Sequence, residues 1–174
     1  MVRIITDSAA DFEPQELEKY NITIKVPRAY EEIENDVENN LLRLYNNGVT
    51  INAIDLKENF WSSGDIEARM DEYIRVISTA NYDSSLKNPK IETVKNSEDK
   101  LGRVELELEN PEGSSKTVTI LTSRNIGNLV IEFTGTVENI NKNMNDIDKI
   151  IGTIKIKDNK KTPDLNEFWL VLGK

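Results

Sequence analysis

The sequence predicts an α+β protein in which helices flank a mostly antiparallel sheet. Two observations support this fold class. Short segments with the period-two alternation of β-strands follow one another across turn-like sequences. Two other segments repeat apolar residues every three or four positions, as amphipathic helices do. A run of consecutive strands with the helices set apart from it is typical of α+β proteins.

The first 27 residues read as strand, turn, helix and strand. Residues 2–5, with three apolar residues and Arg3, predict a short strand, Thr6-Asp7-Ser8 follows as a turn, and an acidic segment up to residue 20 predicts a helix. Residues 22–26 then alternate apolar and polar side chains, and Pro27 ends this strand. We expect residues 1–20 to be a strand-helix extension, either an appendage or a fusion, and residues 21–174 to be a single α+β domain.

A β-hairpin is the strongest short-range prediction. Residues 41–45 and 49–56 are β-type segments that flank Asn46-Asn47-Gly48. Asn-Gly between two such segments favours a tight hairpin, because both residue types accept positive φ angles. The acidic residues 28–38 before it are expected to be irregular or to form one short helix.

The middle of the chain predicts one helix and then an antiparallel meander. The helix follows Asp65, a plausible N-cap or first-turn acid, and places its apolar residues on one face: Ile66, Met70, Tyr73, Ile74 and Ile77. Four strands joined by turn-like sequences are expected after it, at residues 90–95, 101–109, 116–122 and 128–134.

The last third predicts a second helix and a closing strand. Residues 137–152 place apolar side chains at helical spacing, and residues 153–157 alternate as a strand does. Residues 158–164 read as a charged linker. The final ten residues are expected to form a strand at the edge of the sheet.

The composition argues against many catalytic sites. The chain has 174 residues and contains neither cysteine nor histidine. Disulfides, thiolate metal sites, cysteine nucleophiles and Ser-His-Asp triads are therefore excluded. We expect a protein that is not an enzyme, with no catalytic residues, no metal and no cofactor.

The charge argues against nucleic acid as a partner. The formal net charge is −9, and lysine and arginine are scattered along the chain rather than clustered. No apolar segment is long enough for a membrane span. As written, the sequence predicts a cytoplasmic protein. An extracytoplasmic location is expected instead if a signal segment has been removed.

Residues 1–27 resemble the start of the DegV family of bacterial fatty-acid-binding proteins. The resemblance lies in VRIITDSAADF, the acidic segment after it and NITIKVP. It implies a carrier that binds a fatty-acid carboxylate near Thr6, Asp7 and Ser8. The Ser/Thr/Gly-rich loops of that family are missing here, and Ser62-Ser63-Gly64 is a faint echo of them.

Residues 20–157 resemble the PsbP/Mog1-like α/β/α sandwich. The resemblance lies in five segments: NITIKVPRAYEE, LLRLYNNGVTINAIDL, EARMDEYIRVI, IGNLVIEFTGTVENI and IDKIIGTIKI. Such domains occur in photosystem accessory proteins, in a nuclear-transport cofactor and in many small bacterial, often lipid-anchored proteins. The resemblance implies a non-enzymatic accessory domain that binds another protein.

Two groups of residues are candidate binding sites. The hydroxyls of Thr6 and Ser8 with Asp7 would hold an anion at a helix N-terminus, or would simply cap that helix. The aromatic residues Phe60, Trp61 and Trp169, with Phe168, would mark a protein contact if exposed and would otherwise cover the core edges.

Two further patterns favour structural roles. Residues 141–149 carry oxygen side chains at alternate positions but lack the glycine and glutamate of a calcium loop, so we expect a solvated helix face. Glu105, Glu107 and Glu109 form a carboxylate ladder, which would bind cations or perturb its own pKa values. We expect it to lie on the outer face of an antiparallel strand.

The preferred interpretation is a small acidic domain that binds an unidentified protein partner. Its sheet edge or the aromatic residues near Phe60-Trp61 would supply the contact. The alternative is the fatty-acid carrier.

Overall fold

The computed structural model describes residues 12–17, 22–56, 65–80, 84–95, 100–122 and 129–156. The β-strands in these ranges are β1 (Phe12–Leu17), β2 (Ile22–Pro27), β3 (Glu31–Glu32), β4 (Asn40–Asn46), β5 (Val49–Asp55), β6 (Ser85–Lys95), β7 (Lys100–Asn110), β8 (Gly113–Leu121), β9 (Leu129–Thr136) and β10 (Lys155–Ile156). The helices are α1 (Ile66–Ala80), α2 (Val137–Lys142) and α3 (Met144–Gly152).

Seven strands form one antiparallel sheet in the order β3-β4-β5-β9-β8-β7-β6. The predicted meander is confirmed, because β6, β7, β8 and β9 pair consecutively. The predicted hairpin is also confirmed, with Asn47 and Gly48 at φ angles of 48° and 81°. β5 then pairs with β9 and joins the hairpin to the meander.

Helices lie on both faces of this sheet. Alternate residues of β8 and β9 point to opposite faces. Val118, Ile131 and other residues on the same side of the sheet pack against α2, α3 and β2. We call this side of the sheet the α2–α3 face. Leu121 and Val130 pack with α1 on the opposite face, the α1 face. The fold is therefore α+β with a sandwich of helix, sheet and helix.

A second, three-stranded sheet lies on the α2–α3 face, in the order β1-β2-β10. β1 corrects the sequence-based prediction of a helix before residue 20. Phe12–Leu17 pairs with β2 from Phe12 opposite Pro27 to Leu17 opposite Ile22. This pairing gives β2 a hydrogen-bonding partner on its second side, which outweighs the helix propensity of a short acidic segment. Pro14 is compatible with it because β1 is an edge strand.

Details of three segments differ from the sequence prediction. Residues 28–38 are irregular, which is one of the two predicted alternatives, except for the two-residue strand β3. β6 begins at Ser85, before the predicted start at residue 90. The predicted helix over residues 137–152 is present but is divided at Asn143, whose backbone (φ −99°, ψ 8°) departs from helical geometry.

Close backbone contacts join the hairpin to the rest of the fold. Gly48 lies at the hairpin turn in a left-handed conformation, and a Cβ atom there would overlap the Asn139 side chain of α2. Gly135 lies opposite Val49, and a Cβ atom there would overlap the Gly48 carbonyl oxygen. Glycine is required at both positions because there is no room for a side chain.

Candidate protein-binding surface

The first candidate site is the end of the large sheet formed by β3 and β4. Glu31 pairs with Tyr45 and Glu32 with Leu44. The Ile33 amide then donates a hydrogen bond to the Arg43 carbonyl oxygen over 3.1 Å. The acidic segment predicted to be irregular thus runs along the outer side of β4 and covers part of its edge.

Side chains hold this segment in place. The Asn35 side-chain amide donates to the Asn40 carbonyl oxygen over 2.7 Å. The Arg43 guanidinium donates to the Glu34 carbonyl oxygen and to the Asp36 carboxylate, both over 3.1 Å. The Asn40 side chain lies deeper and donates to Asn52 of β5 over 2.9 Å. The segment is therefore tied to the sheet by its own polar groups.

Exposed apolar side chains lie in this segment and in β4 beside it. Val37 is 48% exposed, Leu41 43% and Tyr45 46%. Ile91 of β6 is the other large apolar residue exposed to this extent in the described part of the chain. The acidic residues around the three are all exposed: Glu31, Glu32, Glu34, Asp36 and Glu38. We call residues 31–45 the acidic end surface.

A second candidate is a polar row on the α1 face. Arg43, Asn52, Glu132 and Thr119 lie opposite one another on β4, β5, β9 and β8. The Tyr73 hydroxyl of α1 donates to Glu132 over 2.9 Å and lies 3.1 Å from the Thr119 hydroxyl. This hydrogen bond and the van der Waals packing of Tyr73 fix α1 to two central strands.

The environment of Glu132 favours its neutral form. Burial raises the pKa of the Glu132 carboxyl, and the hydrogen bond from Tyr73 offsets part of that rise. Burial also raises the pKa of the Tyr73 hydroxyl, with the neighbouring Glu132 charge acting in the same direction. Tyr73 therefore remains a hydrogen-bond donor at physiological pH. The arrangement anchors α1 rather than preparing a nucleophile.

The carboxylate ladder of β7 lies against charged partners. Arg103 donates to Glu105 over 2.7 Å and pairs with Asp148 of α3 at the same distance. Lys116 lies 3.8 Å from Glu105 and 3.7 Å from Glu107. The prediction of an outer, solvated face is wrong for Glu105 and Glu107, because α2 and α3 cover this part of the sheet. Glu109 lies outside the part of the sheet that α2 and α3 cover. Its side chain is exposed and pairs with Lys87.

Comparisons with known proteins identify the fold. No family model matches the sequence, and no curated protein matches it. The solution structure of cyanobacterial PsbP (CyanoP) from Synechocystis sp. PCC 6803 superposes with a TM-score of 0.60. It covers 88% of this chain and 98% of that chain, at 6% sequence identity. The Saccharomyces cerevisiae Ran-binding protein Mog1p also gives 0.60, over 86% of this chain and 97% of that chain, at 10% identity.

The chain has a PsbP/Mog1-like fold. The resemblance predicted for residues 20–157 is thereby confirmed at the level of fold. The resemblance of the first 27 residues to DegV proteins stays a prediction.

Several predicted site residues of this PsbP/Mog1-like chain lie outside the described ranges. These are Thr6, Asp7, Ser8, Phe60, Trp61, Phe168 and Trp169, and the predicted terminal strand lies there too. Residues 141–149 are described and are helical except at Asn143, where α2 and α3 meet. Among the described residues, aspartate and glutamate side chains do not come together as a metal site. None of the helices described is long and apolar enough to cross a membrane.

Neither candidate site is predictable from the sequence alone. Residues 28–38 are visibly acidic, but nothing in them indicates that they border the exposed Leu41 and Tyr45. Tyr73 and Glu132 each lie within an apolar pattern, and their pairing depends on how α1 packs on the sheet. A glutamate within the apolar strand 128–134 was the available signal for a buried hydrogen bond.

Proposed function

We propose that this chain is a non-enzymatic protein-binding domain whose acidic end surface contacts a positively charged protein. The observation that carries the proposal is the exposure of Val37, Leu41 and Tyr45 in and beside an acidic segment. Apolar and aromatic residues at the centre of a contact supply most of its affinity, while charges at its rim steer association. This surface offers both.

The acidic end surface is also pre-organised. Asn35, Arg43 and Asn40 hold the segment against β4 and β5 through hydrogen bonds. A surface that is already ordered loses less conformational entropy on binding than a free loop does. Protein contact therefore does not require this segment to fold first.

The net charge of −9 supports a cationic partner. One neighbour in fold, Mog1p, is described as Ran-binding, so a domain of this architecture is used for protein contact. The missing histidine and cysteine support a non-enzymatic role for this chain.

Site-specific photo-crosslinking in the cells that make the protein tests the proposal. A photoreactive amino acid replaces Tyr45 on the acidic end surface, and the matched control replaces exposed Glu138 on α2. We expect one protein with a basic surface to be crosslinked at position 45 and not at position 138. Equal adducts at both positions, or none specific to position 45, would contradict the proposal.

Charge substitutions then test the electrostatic contribution to binding. The partner identified by crosslinking is purified, and its binding to each variant is measured. Replacing both Glu32 and Glu38 by lysine is expected to weaken its binding about tenfold, mainly through slower association. The same loss is expected when the salt concentration rises, because exposed charges are screened. Binding that is unchanged in both experiments would show that the acidic residues are not part of the contact.

A further inference from the structure

The edge of the sheet opposite the acidic end surface is the long strand β6. It spans eleven residues, Ser85–Lys95. Within the described ranges, β7 is the strand that pairs with it, so its outer side has no strand partner there. An unpaired edge presents backbone donors and acceptors that another strand can pair with.

The first half of β6 is unsuited to such pairing. The register with β7 shifts between Lys87 and Lys90, Asn88 has a φ angle of 51°, and Pro89 lacks an amide hydrogen. These features protect an edge from unwanted association. Residues 90–95 follow the bulge in regular register with β7 and lack this protection.

The side chains of Lys90, Ile91 and Glu92 are all exposed, and Ile91 is 50% exposed. Lys90 and Glu92 point to the α2–α3 face, because they lie opposite Glu105 and Arg103 of β7. Ile91 points to the α1 face, opposite Val104. Neither Lys90 nor Glu92 has an ion-pair partner among the described residues.

We propose that β6 pairs with β6 of a second copy of this chain, antiparallel about a two-fold axis at Ile91. In this register each Lys90 lies opposite the Glu92 of the other copy, and the two Ile91 side chains lie opposite each other. The charges are complementary, the exposed isoleucines are covered, and the two sheets become continuous. Opposite charges and apolar pairs across neighbouring strands are stabilising contacts.

Charge complementarity selects this occupant and this register. A lysine alone at an edge strand would repel a second copy, but Glu92 two residues further on reverses that effect in a two-fold pair. Registers shifted by one residue lose this match: about Glu92 the two glutamates face each other. In the proposed register residues 90–92 of the two copies pair, while residues 93–95 lie opposite the bulge and Pro89 of the other copy. The contact is therefore narrow, and we expect a weak, concentration-dependent dimer.

A disulfide trap tests the register. The wild-type chain has no cysteine, so an introduced one is unique. In Ile91→Cys the two cysteines are direct neighbours across the strands, within the Cα separation that a disulfide spans. The matched control is Thr93→Cys on the same face of the same strand, where the two cysteines are four residues out of register. Mild oxidation is expected to give a covalent dimer of Ile91→Cys and not of Thr93→Cys.

A charge swap tests the contact without a crosslink. Position 90 of each copy lies opposite position 92 of the other, so Lys90→Glu and Glu92→Lys each create two pairs of like charges in the dimer. Each variant is expected to weaken the dimer about tenfold in sedimentation experiments. The double variant exchanges the two charges and is expected to restore wild-type dimerisation. Lys142→Glu, an exposed charge change on α2, is expected to leave the dimer unchanged.

The double variant also separates this proposal from a simple loss of folding. Within one chain, Lys90→Glu places a negative charge opposite Glu105, and Glu92→Lys places a positive charge opposite Arg103. The double variant should therefore be the least stable to heat. Across the two-fold axis it is complementary again. A protein that stays monomeric at all concentrations, grows beyond dimers, or dimerises without regard to residues 90–92 would overturn the proposal.

Discussion

Glu132 lies on the α1 face of β9, where burial raises its pKa and the Tyr73 hydroxyl donates to it. A carboxyl whose pKa is higher in the folded state than in the unfolded state binds its proton more tightly when folded. Its contribution to stability is complete below the unfolded pKa and is lost as the pH rises through the folded pKa. At neutral pH, the cost of burying the charged Glu132 carboxylate therefore lowers the free energy of unfolding.

Glu132→Gln should reveal this cost. Glutamine keeps an acceptor for Tyr73 but carries no charge to bury, so we expect the free energy of unfolding to rise by about 1 kcal/mol at neutral pH. The gain should vanish below the ordinary glutamate pKa of about 4.3, where the carboxyl is protonated in both states. Urea unfolding across this pH range measures it. A gain that does not change with pH would contradict the burial argument.

The hairpin turn leaves no room for a side chain at Gly48. Gly48→Ala combines a φ angle of 81° with an overlap against Asn139, and should lower the free energy of unfolding by about 2 kcal/mol or more. Gly152→Ala is the matched control, because its Cβ atom would meet open space. Thermal unfolding of the two variants is the measurement. Equal effects would mean that the turn is not constrained as described.

Thr153 connects the end of α3 to β2. Its hydroxyl accepts a hydrogen bond from the Lys25 amide over 2.9 Å and lies 2.6 Å from the Ile150 carbonyl oxygen, to which it donates. Because Lys25 lies on the central strand of the small sheet, this hydroxyl helps position that sheet under the helices.

Thr153→Val should loosen this junction. Valine has the shape of threonine but leaves the Lys25 amide without its acceptor, at a cost of about 1–2 kcal/mol. Thr153→Ser keeps the hydroxyl and is expected to retain most of the stability. Hydrogen exchange at the Lys25 amide should quicken in the valine variant and much less in the serine variant. Exchange that is equal in both would exclude the hydroxyl as the acceptor.

Elements that depend on local sequence could be predicted, and those that depend on partners could not. The Asn47-Gly48 turn and the apolar spacing of α1 are properties of neighbouring residues. Phe12–Leu17 becomes a strand because β2 lies beside it, and Glu105 is covered because α3 packs over it. The acidic end surface could not be predicted for the same reason, since the exposure of its residues is decided by the tertiary fold.

The seven-stranded sheet supports two apolar clusters, one on each face. Ile120 and Ile131 pack on the α2–α3 face, while Val104 and Leu121 pack on the α1 face. The same strands contribute to both clusters, so neither cluster has a scaffold of its own. We infer that the two faces lose their structure together.

Truncations on the two faces test this inference. Ile131→Ala and Leu121→Ala should each lower the free energy of unfolding by about 2–4 kcal/mol, and each variant should still unfold in one transition. Calorimetry is the measurement. Two separated transitions in either variant would show that the clusters are independent.

The pairing of β5 with β9 has a consequence for how the chain folds. It joins Asp55 to Leu129 and Val49 to Gly135, residues far apart in sequence, whereas the β4–β5 hairpin and the β6–β9 meander are made of local contacts. Closing such a long loop is entropically costly, so it is expected to be the slow kinetic step. A ribosome-bound chain would thus carry a hairpin with one open side until β9 leaves the exit tunnel. During that interval β5 would be available to chaperones or to wrong partners.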